Sequence, residues 1–287
     1  MNYPKISIVT PSFNQGKYLE ETILSVLNQG YPNLEYIIID GGSTDESVDI
    51  IKKYEKQLSY WVSEKDKGMY EAVQKGFAKS TGEIMGWINS DDRYHPKSFF
   101  VLGDVFNTFP EVEWLQGNPT SIDEQGRVVS AFSSRKWSKY NFLQRDYKYI
   151  QQESTFWRRS LWEKAGSSLR TDLRYAGDFE LWLRFFDHAR LYALHTVIGS
   201  FRLRSGNQLS LEMIGEYHKE AEAEITKKLN ALNAEEKEKM AIVTSKSRFY
   251  HNWNYLRKKR EKQIQDILNY TPWIVFDRKT QSFVFRK

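Results

Sequence analysis

Strand-like and helix-like segments alternate along the first hundred residues, and this alternation constrains the fold more than any other feature. Residues 6–10 form a short β-rich run before Pro11, and residues 34–39 form a nearly continuous apolar run. Between these runs, apolar residues recur at helical spacing: Leu19, Ile23, Val26 and Leu27. A continuous apolar strand is typical of a sheet covered on both faces. The pattern predicts a doubly wound α/β half with a largely parallel sheet, whose strands bind ligands at their carboxyl ends.

The alternation continues to about residue 100. Residues 60–62 and 84–88 are expected to form further strands, separated by a helix with Tyr70, Val73 and Phe77 on its inner face. Residues 43–46, Ser-Thr-Asp-Glu, have the pattern of a capping box, which predicts that Ser43 caps the second helix.

The rest of the main domain is less regular. Strands are expected at residues 114–117, 127–132, 154–157 and 191–204, with a helix at 178–188. From about residue 211 the composition shifts to Glu, Lys and Ala, which predicts a mainly helical extension over 211–287 that ends in a strand pair. The main domain is therefore predicted over residues 1–210, with a boundary between its halves at residue 100.

Composition narrows the setting of the protein. The 287 residues include no cysteine, which excludes disulfides and thiolate metal sites. Neither a signal-peptide pattern nor an apolar run of about 20 residues is present, so a cytoplasmic location is expected. The net charge of +5 favours acidic partners such as phosphates or anionic lipid.

An acidic residue ends the second predicted strand. Asp40 is followed by Gly41 and Gly42, which let a flat ring approach the backbone. A carboxylate there accepts the N–H edge of a nucleotide base. The alternative is an N-cap for the following helix, a role already predicted for Ser43.

Two more acids follow the fourth predicted strand, in the series Asn89-Ser90-Asp91-Asp92. A carboxylate at the end of an apolar strand is desolvated unless it has a partner. A hard cation such as Mg²⁺ or Mn²⁺ on a diphosphate is a natural partner. The alternative, a helix N-cap, explains one of these acids but less easily two.

Together, several ordered motifs resemble the family 2 glycosyltransferases of the GT-A fold, especially inverting bacterial members. The resemblance covers residues 5 to about 210 and rests on IVTPSFNQ, YIIIDGGSTDES, SEKDKGMYEAVQKGFAKSTGEI and INSDD. It implies a nucleotide-binding half over residues 1–100 and an acceptor-binding half over residues 101–210.

The resemblance also implies residue roles. Pro11, Ser12 and Asp40 match residues that hold the nucleotide base, and Asp91 matches the metal ligand. Lys75 lies where relatives often place a basic residue towards the nucleotide, although it is equally a candidate for a solvated surface lysine. The predicted nucleotide-sugar site further includes Asn14, Asn89, Ser90, Asp92 and Arg204.

One motif departs from the family pattern. The usual Asp-x-Asp begins here with Asn89, which can bond the ribose or a metal-bound water but supplies no charge. Metal binding is therefore assigned to Asp91, with Asp92 assisting. Relatives often carry histidine near the position of Arg204, whose guanidinium is expected to clamp phosphate and not metal.

A hydroxyl that attacks a sugar must lose a proton to a general base. Asp178 resembles the inverting base of the family and starts a helix with aromatic neighbours, although an N-cap role also explains it. Glu180 is the reserve candidate and is assigned to the acceptor side. Gln152 and Trp157 resemble residues that line the acceptor side, with Trp157 equally explained as core.

The extension contains a basic and aromatic stretch over residues 246–262. The first interpretation is a helix that packs on the catalytic domain or on a second subunit. The alternatives are peripheral contact with an anionic membrane and binding of single-stranded nucleic acid.

These observations favour an inverting glycosyltransferase that moves one sugar from a nucleotide-diphosphate sugar to a hydroxyl of a glycan or lipid-linked glycan, with Mn²⁺ or Mg²⁺. The resemblance favours a UDP-linked donor. An alternative is a nucleotidyltransferase acting on sugar phosphates, but residues 11–16 are not its usual Gly-rich loop. A nucleic-acid-binding protein would leave Asp40, Asp91 and Asp178 unexplained. Processive relatives carry transmembrane helices and a Gln-x-x-Arg-Trp motif, both absent here, so one sugar per encounter is expected.

Overall fold

The structure is a computed structural model that describes residues 3–145, 150–205, 212–245 and 254–286. Its strands, in chain order, are β1 (Ile6–Ser12), β2 (Leu34–Asp40), β3 (Tyr60–Ser63), β4 (Ile84–Trp87), β5 (Arg93–Tyr94), β6 (Trp114–Ile122), β7 (Val128–Ala131), β8 (Thr155–Arg158), β9 (Leu191–Arg202), β10 (Trp273–Asp277) and β11 (Ser282–Arg286). Its α-helices are α1 (Gly16–Leu27), α2 (Ser47–Tyr54), α3 (Met69–Lys79), α4 (Ser98–Thr108), α5 (Lys139–Phe142), α6 (Arg159–Lys164), α7 (Gly177–His188), α8 (Ile214–Ala231), α9 (Ala234–Thr244) and α10 (Asn254–Leu268).

The strands form one large sheet in the order β11-β10-β9-β6-β8-β4-β1-β2-β3, with β5 beside β9 and β7 beside β6. Strands β3, β2, β1 and β4 are parallel to one another. Beyond β4 the sheet is mixed, because β8 runs antiparallel to both of its neighbours. The predicted α/β class and the parallel first half are confirmed.

The register of the parallel strands sets the position of the site. Ser12 pairs with Asp40, and Asp40 pairs with Ser63, so three strands end side by side. On the other side of β1, Val9 pairs with Trp87, the last residue of β4. The loops after β1, β2 and β4 therefore meet at one edge of the sheet, as the sequence predicted.

Helices cover both faces of this sheet. In β2, Ile37 belongs to one hydrophobic cluster and Ile38 to the other, because successive side chains of a strand point to opposite faces. Val73 of α3 packs in the first cluster, and Leu19 of α1 packs in the second. Burial on both faces explains why the strand is apolar throughout.

Two local predictions were wrong. Strand β1 does not stop at Pro11 but continues to Ser12. The Val9 carbonyl accepts from the Ile88 amide, so the backbone groups of odd-numbered residues in β1 point towards β4. Strand β4 ends at Trp87, so no strand residue lies opposite Pro11 on that side. The N–H that proline lacks is therefore not needed for pairing. The predicted capping box is also absent, because α2 begins at Ser47 and Ser43 bonds Asp40 instead.

The predicted helices and terminal strand pair of the extension are confirmed over the described residues. Strand β10 extends the sheet, with Ile274 opposite Leu194 of β9. Ala221 and Ile225 of α8 are fully buried in the same cluster as Val73. The division at residues 210 and 211 stays a prediction, because both positions lie outside the described residues. No helix within the described ranges is long and apolar enough to cross a membrane.

Candidate active site

Asp40 is fully buried at the end of β2, where its carboxylate organises the following turn. Oδ2 accepts hydrogen bonds from the Gly42 and Ser43 amides at 3.1 and 2.9 Å and from Ser63 Oγ at 2.7 Å. Oδ1 accepts from Ser43 Oγ at 2.5 Å. These four bonds account for most of the acceptor capacity of a carboxylate. The Asp40 side chain therefore shapes the loop, and its direct contact with a base stays a prediction.

The loop after β1 is latched to the loop after β2. Asn14 Oδ1 accepts from the backbone N–H of Thr44 at 2.8 Å, and the backbone N–H of Asn14 donates to Ser43 Oγ at 2.8 Å. Asn14 has a positive φ of 50°, which asparagine tolerates better than most residues. Pro11 and Ser12 are buried beside it, and Ser12 Oγ has no hydrogen-bond partner among the described residues. A buried hydroxyl without a partner at a strand end is suited to a ligand.

Asp91 and Asp92 follow β4 and have different environments. Asp92 is buried, and its carboxylate accepts from the Arg202 amide at 2.8 Å and from Asn89 Nδ2 at 3.2 Å. Burial, together with the charges of Asp91 and Glu153, holds the pKa of Asp92 well above its usual range. Asp92 therefore fastens the loop to β9, which explains its place in the motif without a direct ligand contact.

The Asp91 carboxylate is paired with a cation. Arg204 Nη2 lies 3.1 Å from Asp91 Oδ2, and Arg204 Nη1 donates to Gln15 Oε1 at 3.2 Å. Burial raises the pKa of Asp91, and the charge of Arg204 opposes that rise. Residue 204 was predicted to bind diphosphate, and the structure places it beside the predicted metal ligand. Residues 206–210 of the predicted closing loop lie outside the described residues.

The oxygens of this loop fit a cation that arrives with a substrate. The described residues contain no group of three or more His, Cys, Asp or Glu that could hold a metal ion alone. However, Mg²⁺ is commonly held by one or two carboxylates together with substrate phosphates. Asp91 supplies one carboxylate, and Asn89 Oδ1 is buried without a hydrogen-bond partner in the described part of the chain. Ser90 lies buried between them.

Asp178 lies in the first turn of α7, whose Trp182 stacks on Trp87 at the end of β4. Tyr70 Oη donates to Asp178 Oδ1 at 3.2 Å and to the Tyr175 carbonyl at 2.8 Å. A Cβ on Gly177 would come within 2.8 Å of the Tyr70 ring, so glycine is needed for this close approach. Burial raises the pKa of Asp178 to about 6, with a smaller contribution from the charge of Glu220. Such a carboxylate is a suitable general base near neutral pH.

Glu153 is a site residue that the sequence did not reveal. Its side chain is 3% exposed, and Oε1 has no hydrogen-bond partner within the described ranges. Burial raises its pKa to about 8, and the charges of Asp91 and Asp178 add to the rise. The available signal was a glutamate directly before an apolar strand, whereas Asp91 was identified because it follows one.

Gln152 and Trp157 frame the floor of the site in different ways. Gln152 Nε2 donates to the Trp87 carbonyl at 2.5 Å, and Gln152 Oε1 is buried with no partner among the described residues. Gln152 therefore keeps a free acceptor next to the β4 loop. Trp157 is fully buried, so its predicted contact with an acceptor is wrong: its ring has no face for a sugar.

The burial of Trp157 is part of a larger arrangement, the tryptophan cluster, which consists of Trp87, Trp114, Trp157 and Trp182. Trp87 and Trp182 stack with ring centroids 6.0 Å apart and planes 11° apart. Trp157 packs edge-on against both, with centroids 5.7 Å apart in each case. Trp87 ends β4, and Trp182 lies one turn after Asp178 on α7. The cluster therefore supports both the loop that carries Asp91 and the helix that carries Asp178.

Glu180 is held in a structural ion pair. Both of its carboxylate oxygens accept from Arg184, with the shortest distances at 2.9 Å. Arg184 also donates to the carbonyls of Ala165 and Ser168. The predicted acceptor role is therefore not favoured, because Glu180 orients Arg184, which fixes α7 to the loop after α6.

Two residues near Gly41 complete the nucleotide side. Lys75 Nζ lies 3.0 Å from Glu64 and 3.5 Å from Glu71, so its role towards a nucleotide stays a prediction. Asp66 lies close enough that a Cβ on Gly41 would be 3.0 Å from Asp66 Oδ2. Burial raises the pKa of Asp66. Asp66 closely follows the end of β3, so the strand-end criterion that identified Asp40 also points to Asp66.

Comparisons with known proteins agree with this geometry. Residues 7–149, about half of the chain, match the model "Glycosyl transferase family 2". An "uncharacterized glycosyltransferase" of Nostoc sp. is 31% identical over 129 residues. The match spans 42% of this chain and only 40% of that relative.

Two solved structures share the fold. S. aureus TarS in complex with UDP-GlcNAc has a TM-score of 0.61 and 17% identity, over 92% of this chain and 79% of TarS. The mannosyltransferase PcManGT from Pyrobaculum calidifontis, in complex with GDP-Man and Mn²⁺, has a TM-score of 0.53 and 15% identity, over 94% of this chain and 86% of that one. The expected GT-A fold is confirmed.

Proposed function

The chain belongs to glycosyl transferase family 2, and we propose that it transfers one sugar from a nucleotide-diphosphate sugar to a hydroxyl group of a glycan or lipid-linked glycan. The observation that carries this proposal is that the helix of Asp178, a carboxylate with a pKa of about 6, packs through Trp182 on Trp87 at the end of β4. Several buried oxygens of the site have no hydrogen-bond partner among the described residues. The oxygens after β1 and β4 are suited to hold a diphosphate donor, and Asp178 is suited to accept a proton.

The reaction is a direct displacement. Asp178 takes the proton of the acceptor hydroxyl as the oxygen attacks the anomeric carbon of the donor. The bond from that carbon to the phosphate oxygen breaks, and the nucleoside diphosphate leaves with the electron pair. A single displacement inverts the anomeric centre.

The chain's own residues bind and orient the donor. Ser12 Oγ is free to contact the base or ribose, and Asp66 is placed near the glycine turn where a base would lie. Arg204 can turn from Asp91 to the diphosphate, because a guanidinium bonds phosphate oxygens through two N–H groups. A divalent cation held by Asp91 would neutralise charge on the leaving diphosphate.

The donor and cation classes are supported by the structural relatives. TarS was solved with UDP-GlcNAc, and PcManGT with GDP-Man and Mn²⁺. The predicted UDP-linked donor and the predicted Mn²⁺ or Mg²⁺ are therefore part of this proposal.

We also propose that the enzyme works at an anionic membrane surface, without a role in binding nucleic acid. Helix α10 carries Lys258, Lys259 and Lys262 on exposed positions. Residues 246–253 of the predicted basic and aromatic stretch lie outside the described residues. Retention of the protein on vesicles that contain anionic lipid, and its release by salt, would support this placement.

A donor screen tests the proposed function. The protein is incubated with Mn²⁺ and each nucleotide-sugar, and thermal shift and release of nucleoside diphosphate are measured. We expect one donor to stabilise the protein, with the shift lost in EDTA and in Asp91→Ala. Asp49→Asn is the matched control, because Asp49 is exposed on α2 and lies outside the site. The absence of a shift and of turnover with every nucleotide-sugar would contradict the proposal.

The number of sugars added is tested separately. Products from a short synthetic acceptor are analysed by mass spectrometry. A single added sugar is expected, whereas long products beside unused acceptor would show processive transfer.

A further inference from the structure

A glutamate of the C-terminal extension reaches the segment that precedes the proposed base. Glu220 lies on α8, and its Oε2 accepts hydrogen bonds from the Tyr175 and Ala176 amides, both at 2.8 Å. Its Oε1 accepts from the Arg174 amide at 3.0 Å. One carboxylate thus collects three consecutive backbone donors, two residues before Asp178.

These bonds hold the entry to a helix that has no side-chain cap. A Ser, Thr, Asp or Asn side chain at the N-cap usually accepts from an N–H of the first helical turn, whereas Glu220 accepts from the three amides that lead into α7. In α7 the N-cap residue is Ala176, which has no side chain able to accept. Glu220 therefore fixes this helix entry from a distant part of the chain. Its negative charge also suits the positive end of the α7 dipole.

The segment is held from both sides. Tyr70 of α3 donates to the Tyr175 carbonyl and to Asp178 Oδ1, while Glu220 accepts from the amides of the same segment. Only the short backbone stretch 174–178 therefore separates the hydrogen bonds of Glu220 from the carboxylate of Asp178.

Helix α8 is itself firmly placed. Ala221, the neighbour of Glu220, is fully buried in the main core, as is Ile225. The ring of Tyr217 packs against Phe179, with centroids 6.3 Å apart. Glu224 approaches Arg170 at 3.5 Å, which adds a second tie to the same stretch of chain.

We propose that Glu220 is a positioning residue for Asp178, so that the C-terminal extension sets the reach of the base towards the acceptor hydroxyl. This proposal rests on the proposed function for the role of Asp178. It assigns to α8 a part in the reaction beyond packing.

The electrostatics agree with the geometry. Glu220 from α8 bears a negative charge towards Asp178, and Tyr70 from α3 donates to it. The raised pKa of Glu153, from the turn before β8, keeps that group mostly protonated at neutral pH. The charge of Glu220 contributes to the raised pKa of Asp178. Removal of that charge should lower this pKa, and the acid limb of the pH–rate profile should move to lower pH.

The test uses Glu220→Ala, Glu220→Gln and the matched control Glu216→Gln. Glu216 lies one turn earlier on α8, where its Oε1 pairs with Lys219 Nζ at 2.6 Å and does not contact the α7 entry in the structure's described hydrogen bonds. Hydrogen exchange by mass spectrometry on peptides covering residues 170–180 reports whether the three amides remain bonded. Affinity for UDP is measured by calorimetry, and kcat and KM are measured with UDP-GlcNAc or with the donor turned over in the screen.

In Glu220→Ala we expect rapid exchange at residues 174–176, a fall in kcat of about ten- to a hundredfold from misplacement of the base, and unchanged affinity for UDP. Glu220→Gln keeps one acceptor oxygen and should retain part of the kcat, with the acid limb shifted to lower pH. Glu216→Gln should match the parent in every measurement. If Glu220→Ala does not fold, Glu220→Gln alone decides through its exchange and its pH profile.

Two results would overturn the proposal: parent-like exchange in the Glu220 variants, or parent-like kcat and pH profile with the amides released. Asp178→Asn is measured in parallel. If that variant remains fully active, the assigned base is wrong, and hydrogen exchange still shows independently whether Glu220 holds the segment.

Discussion

At the scale of single residues, two carboxyl groups of the site hold their protons more tightly than ordinary acids. Asp178 has a pKa of about 6, and Glu153 has a pKa of about 8, both chiefly because burial disfavours the charged form. In each case the folded protein binds the proton more tightly than the unfolded chain. Stability should therefore fall as pH rises from the unfolded pKa to the folded pKa.

Asp178→Asn tests both the function and the energetics of the proposed base. The amide keeps the acceptor for Tyr70 but cannot take a proton, so kcat should fall by about a hundredfold or more. The parent loses folding stability as the pH rises towards 6, because its buried carboxyl group holds its proton while the unfolded chain is already ionised. The variant has no such group and should be more thermally stable than the parent at pH 7–8. The two melting temperatures should converge near pH 4. A variant that is no more stable at pH 8 than Asp49→Asn would show that Asp178 is not strained by burial.

Glu153→Gln addresses the acid with the higher pKa. The parent should lose stability progressively between about pH 5 and 8 as Glu153 ionises, whereas the variant should show a flatter curve. Thermal melts across this range measure the difference. An unchanged slope would mean that Glu153 ionises in contact with water.

Some site residues could be predicted from the sequence because their signal is positional. Periodicity places Asp91 at the end of a strand and Asp178 at the start of a helix, and the resemblance to the family singled out their proposed roles. Trp157 could not be judged in this way, since an aromatic residue reads the same whether its ring faces a pocket or a core. Glu220 lies far along the chain from Asp178, and only the packing of α8 brings them together.

At the scale of elements, the loop after β4 and the end of β9 form one unit. Arg202 from β9 donates its amide to Asp92, and Arg204 pairs with Asp91. The two arginines thus fix the relative position of two elements that are more than a hundred residues apart.

Arg204→Gln tests the proposed contact with diphosphate. Loss of a charge-assisted bond of about 1.5–3 kcal/mol should weaken UDP binding by roughly tenfold or more. Uridine lacks the phosphates, so its affinity should change little. Calorimetry with both ligands measures the contrast, and Arg127→Gln, at an exposed ion pair with Asp123, serves as the control. Equal losses for UDP and uridine would assign Arg204 to the nucleoside or to the fold.

Element types were predictable, but their junctions were not. Apolar runs located β1, β2 and β4 because buried strands must be apolar, whereas β3 is only partly buried. Ser43 is a residue type common at helix caps, yet its hydroxyl donates to the carboxylate of Asp40. Hydrogen bonds to a charged acceptor are stronger than bonds between neutral groups, which favours this partner over a helix terminus.

At the scale of the whole molecule, the terminal hairpin extends the sheet next to β9. Ile274 of β10 is fully buried, whereas Phe276 on the same strand is half exposed. The end of the chain thereby covers a sheet edge that would otherwise be open to pairing with other chains. The parallel order of β1 to β4 follows from the βαβ pattern, but the position of β10 beside β9 depends on long-range pairing that periodicity does not encode.

Ile274→Ala and Phe276→Ala form a matched pair on this strand. The first should lower the free energy of unfolding by about 2–4 kcal/mol, because it leaves a cavity in the core. The second should have a much smaller effect, since half of its ring already contacts water. Denaturant titrations measure both, and equal losses would show that the hairpin is held by its edge and not by the core.

The tryptophan cluster has an optical consequence. Stacked indoles at the separation of Trp87 and Trp182 couple electronically, so their near-ultraviolet circular dichroism and emission depend on the angle and distance between the rings. One ring is joined to the loop that carries Asp91 and the other to the helix that carries Asp178. Any ligand that shifts one element against the other will change that spectrum, which gives the protein an internal reporter of site closure without an attached dye.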